Sequence, residues 1–166
     1  MVRGFDSLIP FHRTVLRSQL SPGGVRDALA QTTSAEVRWF GGSGDGTTFH
    51  GTVGSESFEI VRRIHYRNSF LPVVRGTIEA VPGGTLVRLD LRLHAFVLVF
   101  MAIWMTLTSF VALAALALAL TGEPNPMLAA FAFPIFGALL TGFAFRAEAN
   151  IAIERLCALF EAKEDA

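Results

Sequence analysis

The chain has 166 residues, of which 52% are hydrophobic and 17% are charged, and its formal net charge at pH 7 is zero. The length suggests one domain, and the balanced charge argues against a nucleic-acid-binding protein. The mean hydropathy of +0.49 is higher than that of most soluble domains, so the composition also argues against a purely soluble protein.

The single cysteine and the first ten residues bear on the compartment of the protein. Cys157 is the only cysteine, which excludes an intramolecular disulfide and permits a reducing compartment. The first ten residues, MVRGFDSLIP, lack the apolar core of a signal peptide. We therefore expect the first long apolar run to act as an internal signal-anchor.

The first predicted elements are a strand at residues 14–20 and a short helix at residues 22–31. Ser21 can accept hydrogen bonds from the first helical N–H groups, and Pro22 suits the first helical position. The helix is expected to bury Val25 and Leu29.

Further strands are predicted from alternating apolar residues between turn residues, at 37–40, 47–53, 57–66, 71–81 and 85–93. The clearest alternation is in the last of these, where Val87, Leu89 and Leu91 share one face. Short turns at this spacing favour an antiparallel meander. Residues 1–94 are therefore predicted to form a small α+β domain with one short helix.

Two long apolar runs follow this domain, at residues 95–120 and 127–145, and the only charged residue between them is Glu123. As helices they would be about 39 Å and about 28 Å long, and the hydrocarbon core of a bilayer is roughly 30 Å thick. They predict a transmembrane helical hairpin over 95–145, with a kink at Pro134. Residues 146–166 are predicted to form a C-terminal helix that packs on the domain or lies along the membrane surface.

The distribution of basic residues predicts the orientation. Arg88 and Arg92 precede the first span, Arg146 and Arg155 follow the second, and the loop TGEPNP has no Lys or Arg. By the positive-inside rule, both termini, the domain of residues 1–94 and the C-terminal helix are cytoplasmic. We expect a multi-pass protein of the bacterial cytoplasmic (inner) membrane.

A pattern of residues in and around the predicted strands carries a resemblance to a known group. The pattern is F-x-G-x-V from Phe49, R-I-x-Y-R-N-S-F-L-P over residues 63–72, G-x-I from Gly76, and G-T from Gly84. It resembles a family of small two-span bacterial membrane proteins that has no known function. The strand–helix–strands order is also similar to START-like ligand-binding domains, although the second helix that usually precedes their meander is missing.

Two groups of residues are candidates for binding. The first lies at the junction of domain and membrane, where Arg88, Arg92, His94, Trp104 and Arg146 could meet lipid headgroups. The alternative is that these residues are solvated strand positions and topology determinants.

The second candidate is the loop segment Arg67, Asn68 and Ser69, which could bind a ligand or a partner. Asparagine and serine also stabilise turns through hydrogen bonds to the nearby backbone. Both interpretations of this segment are open from the sequence.

The sequence gives no support for catalysis or for a cofactor. The four histidines (His12, His50, His65 and His94) are not at zinc-ligand spacing. The segment GGSGDG lacks the GK[ST] ending of a phosphate loop, and no catalytic triad or carboxylate pair is recognisable. The spans lack charged residues, which argues against a proton-coupled transporter. We expect no enzyme activity, no metal and no cofactor.

The sequence therefore predicts an inner-membrane protein whose cytoplasmic domain is a binding module for a partner protein, a lipid headgroup or an apolar ligand. The expected partners are membrane lipids and either another protein or further copies of the chain. The alternatives are a structural subunit of an oligomeric complex or pore, and an enzyme that acts on a membrane-associated substrate.

Overall fold

The computed structural model describes residues 10–34, 47–64, 66, 68–121 and 126–165. Within them the chain has an α+β fold with a seven-stranded sheet and three α-helices. The strand predicted at 37–40, the segment GGSGDG, His65 and Arg67 lie outside the described residues. Two of the helices are long and apolar enough to cross a membrane.

The order of the elements agrees with most of the predicted strands and with the short helix. The elements are β1 (Phe11–Ser18), α1 (Pro22–Thr32), β2 (Thr33–Ser34), β3 (Phe49–Val53), β4 (Ser57–Arg62), β5 (Pro72–Val81), β6 (Gly84–Leu93), α2 (Ala95–Ala119), a 3-10 helix (Pro126–Phe131), α3 (Ala132–Leu159) and β7 (Lys163–Asp165). The Ser21 hydroxyl accepts a hydrogen bond from the Gly24 N–H, so the predicted helix cap is confirmed.

The sheet is mixed, whereas the sequence predicts an antiparallel meander. Its strand order is β2-β3-β4-β5-β6-β1-β7, and all neighbours are antiparallel except β2 and β3. The parallel pair arises because α1 carries the chain across one sheet face, so that β2 starts at the same end as β3. β1 pairs along its full length with β6, from Phe11 opposite Arg92 to Ser18 opposite Thr85.

The hydrophobic core lies between one face of the sheet, α1 and the C-terminal half of α3. Alternate strand residues such as Leu16, Val74 and Val87 are fully buried, as the period of two requires. Val25 and Leu29 of α1 are buried as predicted. The part contributed by the end of the chain comprises Phe145, Ala149, Ala152, Ile153, Leu156 and Phe160.

Helix α3 differs from the expected division at residue 145, because it runs without interruption from Ala132 to Leu159. No glycine or proline follows Gly142 within the helix, so nothing in the sequence breaks it. Pro134 lies in the first turn of α3, where its missing N–H leaves no hydrogen bond unmade. One helix thus joins the apolar segment to the core of the domain.

Helix α2 begins directly after β6. The His94 Nδ1 atom accepts a hydrogen bond from the Phe96 N–H and caps the helix. α2 packs against the 3-10 helix and α3, and the Trp104 ring lies directly over Gly137, where a side chain would not fit.

Candidate functional site

One end of the sheet lies next to helices α2 and α3. The backbones of Phe11, Arg62, Pro72 and Leu93 lie there, as the strand registers require. We call it the helix-proximal end. α2 leaves the sheet from this end, and α3 enters the core there at Phe145.

A buried carboxylate on α3 is the centre of the first group of contacts. Glu148 is only 6% exposed, and its side chain is ion-paired with the Arg62 guanidinium at the end of β4. The Tyr66 hydroxyl donates to Glu148 Oε1 at 3.1 Å, and the Asn68 amide donates to the same oxygen at 2.7 Å. Three donors from β4 and the following loop therefore converge on one acceptor.

The electrostatics of Arg62 follow from this enclosure. Burial disfavours its charged form, but hydrogen bonds to Glu148 and Tyr66 outweigh that effect, so the pKa of the Arg62 guanidinium is raised above its ordinary value. Its Nε atom is buried and has no hydrogen-bond partner among the described residues. Arg62 is thus held as a cation whose main counter-charge is Glu148.

In the loop candidate, Asn68 and Ser69 have different surroundings. The Asn68 side chain faces α3, and its Oδ1 atom accepts a hydrogen bond from the Phe70 N–H at 2.9 Å. Ser69 is exposed, and Arg67 lies outside the described residues. Asn68 therefore has a structural role in this loop, namely to shape the turn and attach it to α3.

Glu148 was not among the residues that the sequence singled out, and Arg62 was noted there only as part of a basic set with Arg63, Arg67, Arg75, Arg88 and Arg92. A signal was present, because Glu148 lies on the same helix face as Phe145, Ala149 and Ala152. A carboxylate in an apolar stripe implies a partner, although the stripe does not identify that partner.

A second group of contacts lies on the opposite, outward face of the sheet. Arg92 donates to both oxygens of Asp90 at 2.7 and 2.6 Å, and Arg13 Nε lies 3.5 Å from Asp90. Both guanidiniums also lie close to the Phe11 ring, with Cζ atoms 4.9 Å (Arg13) and 5.1 Å (Arg92) from its centroid. We call Phe11, Arg13, Asp90 and Arg92 the Phe11 cluster.

The other junction candidates are distributed over three places. Arg88 lies on the same strand face as Arg92, roughly 13 Å away at about 3.3 Å per residue, and pairs with Glu79. His94 caps α2, and Arg146 lies two residues before Glu148 on α3. The structure places Arg92, His94 and Arg146 near the helix-proximal end, while Arg88 lies farther along β6 and Trp104 packs between α2 and α3.

The Phe11 cluster gives a test at acid pH. Hydrogen bonds from Arg92, with a smaller effect of Arg13, hold the pKa of Asp90 below its ordinary value. Because the pKa of Asp90 is lower in the folded state than in the unfolded state, its ion pairs stabilise the protein fully at pH values above the unfolded-state pKa of about 4. This stabilisation is lost as the pH falls through the folded-state pKa.

We therefore expect Asp90→Asn to lower the free energy of unfolding at pH 6 by about 0.2–1 kcal/mol, and to have a smaller effect at pH 2. Thermal unfolding of the detergent-solubilised protein, followed by circular dichroism, measures this difference. Glu154→Gln, an exposed position on α3, is the control. An equal loss at both pH values would contradict the ion-pair explanation.

An open trough of about 910 Å³ lies on the outward sheet face. A row of cross-strand neighbours with alternating charge crosses it: Arg13, Asp90, Arg75 and Glu59. The Arg75 guanidinium donates to Glu59 at 2.7 Å. Because these charges neutralise each other, the trough offers polar contacts with little net charge.

Neither a metal site nor a known relative explains these groups. Among the residues that the structure describes, no three His, Cys, Asp or Glu side chains lie close enough to hold a metal ion. The chain matches no protein-family model, and comparisons with curated proteins and with solved structures find no match.

Proposed function

We propose that this chain is an integral membrane protein in which α2 and the segment from the 3-10 helix into α3 cross the bilayer as a hairpin. The observation that carries the proposal is the exposure of large apolar side chains along both helices. They are Phe96, Leu98, Val99, Phe100, Ile103, Leu107, Phe110, Val111, Leu113, Leu116 and Leu118 on α2, Leu120 directly after it, and Phe133, Ile135, Phe136, Leu139, Leu140 and Phe143 on α3. Exposing such a large apolar surface to water is unfavourable, whereas the hydrocarbon tails of lipids cover it without this cost.

The charge at the helix-proximal end supports a cytoplasmic position for the domain. Four arginines lie there (Arg62, Arg63, Arg92 and Arg146), and they outnumber Glu148 and Asp90, the acidic residues that pair with Arg62 and Arg92. The connection between the two helices has one charge, Glu123. The positive-inside rule then places the domain and both termini in the cytoplasm of a bacterial cell, at its inner membrane.

Membrane extraction and reporter fusions test this topology. After alkaline carbonate extraction of membranes, the full chain should stay in the pellet. A periplasm-dependent reporter such as alkaline phosphatase should be active when inserted after Thr121 and inactive when fused after Ala166. A cytoplasm-dependent reporter should give the opposite pair of results, and the reverse pattern would exclude the proposed orientation.

We further propose that the domain is a binding module and that its trough receives a polar segment of a partner protein. The mutually neutralised row of Arg13, Asp90, Arg75 and Glu59 offers both charge signs within one surface. The opposite face of the sheet is filled by the core, which favours a polar partner on the outward face over an apolar ligand inside the domain. This arrangement supports binding rather than catalysis.

A photocrosslinker at Thr77, which is exposed in the trough, tests the binding surface in cells. We expect a discrete crosslinked protein, whereas the same group at Arg155, exposed on α3, should give none. The charge swap E59R/R75E keeps an ion pair at this position but exchanges its signs, so it should abolish the product without unfolding the domain. A product that persists in the swap variant would contradict recognition by this row.

A further inference from the structure

We infer that the Phe11 cluster binds the phosphate group of an anionic glycerophospholipid in the adjacent leaflet. This inference rests on the proposed membrane hairpin, and it adds a lipid to the partners of the domain. Arg13 and Asp90 belong both to this cluster and to the row in the trough, so the two proposed sites adjoin. Position is the first reason. Arg92 lies two residues before His94, and α2 starts at Ala95, so the Arg92 side chain is at the level where a strand passes into a proposed span.

The hydrogen-bonding capacity of the cluster is the second reason. Two guanidiniums share one carboxylate, which leaves one net positive charge. The guanidiniums carry ten N–H groups between them, and the contacts with Asp90 use three of these. The side chains of Arg13 and Arg92 are 68% and 48% exposed, so both can donate to a phosphate, the group that guanidinium geometry suits best.

The Phe11 ring is the third reason, because both cations lie against it. Each guanidinium lies within 6 Å of the ring centroid, in the range of a cation–π contact. Asp90 fixes the guanidiniums from another side. The site is therefore pre-arranged, and the half-buried ring adds an apolar surface beside the phosphate, where a lipid presents its glycerol and acyl carbons.

The start of α2 adds to the positive potential at this level. Its first turn contains no acidic residue, and His94 occupies the cap position. The N-terminal end of a helix carries a partial positive charge that favours anions. This potential and the charge of the cluster act on the same headgroup layer.

The test uses the full chain in mild detergent, with bound lipid counted by native mass spectrometry. The probes are dioleoylphosphatidylglycerol, dioleoylphosphatidylcholine and inorganic phosphate at equal concentrations. We expect phosphatidylglycerol to bind in preference to phosphatidylcholine, and R13Q/R92Q to weaken that binding by about fivefold for each arginine removed. The charge-retaining variant R13K/R92K should keep most of the preference.

The matched control is R26Q/R155Q, which removes two exposed arginines away from both the cluster and the trough. It should bind phosphatidylglycerol as the native chain does. Equal binding of the two lipids, equal losses in R13Q/R92Q and the control, or occupancy by inorganic phosphate as strong as by phosphatidylglycerol would each overturn the lipid site. Hydrogen exchange of the β1 and β6 amides checks that R13Q/R92Q remains folded.

Carbonate extraction separates the failure of this inference from that of the proposed function. A native chain that resists extraction but does not discriminate between the lipids overturns only the lipid site. If carbonate releases the native chain from the membrane, the proposed hairpin itself is wrong.

Discussion

Replacing Glu148 by alanine should destabilise the native state by about 3–5 kcal/mol, the usual cost of leaving one member of a buried ion pair without its partner. The substitution removes the counter-charge of Arg62 and the shared acceptor of Tyr66 and Asn68. In hydrogen exchange of the detergent-solubilised chain, the β4 and β5 amides should open at least one hundred times more often, since about 1.4 kcal/mol corresponds to a factor of ten.

Two further variants separate lost pairing from lost packing. Glu154→Ala changes an exposed glutamate on the same helix and should leave exchange unchanged. In R62M/E148L both charges are replaced by apolar side chains of similar length, and such replacements are often neutral. The double variant should therefore be more stable than Glu148→Ala. If it is less stable than Glu148→Ala, the buried charges stabilise the fold in their own right.

Phe160→Ala should lower the free energy of unfolding by about 3–5 kcal/mol, because it empties a fully buried position at the end of α3. The Phe160 ring meets the Phe58 ring edge to face, with centroids 6.5 Å apart. The Phe160 carbonyl also accepts a hydrogen bond from the Ser18 hydroxyl at 2.5 Å. The residue thus attaches the end of α3 to both β1 and β4.

Phe143→Ala is the matched control for this substitution, since it removes the same ring from the same helix at a position that is 69% exposed. Thermal unfolding in detergent, followed by near-ultraviolet circular dichroism, should show a lower midpoint for Phe160→Ala and little change for Phe143→Ala. Similar midpoints for the two variants would indicate that the C-terminal half of α3 is not docked on the sheet in solution.

The sequence was sufficient for the elements whose signals are local. The alternation in β5 and β6, the cap at Ser21 and the two apolar runs are each visible within about ten to twenty residues. β2 and β7 have two and three residues, too few for a periodic signal, and their partners are set by the path of the chain. The mixed character of the sheet could not be predicted for this reason.

The contacts of the site depended on long-range geometry. Glu148 and its partners are 80 to 86 residues apart in sequence, and no local pattern joins them. Phe11 and Arg13 preceded the strand predicted at 14–20, so their pairing with Arg92 and Asp90 required the register of β1 on β6. The division of the last helix at residue 145 followed the charges of Arg146 and Glu148, but charge alone does not end a helix.

The unbroken course of α3 makes the bilayer a determinant of how the domain is oriented. The helix is about 42 Å long, and its second half is fixed to the sheet by Phe145, Glu148 and Phe160. Spans tilt to match the hydrocarbon thickness around them. Since no hinge separates the two halves of α3, the sheet turns through the same angle as the span, and a thicker or thinner membrane would aim the trough in a different direction.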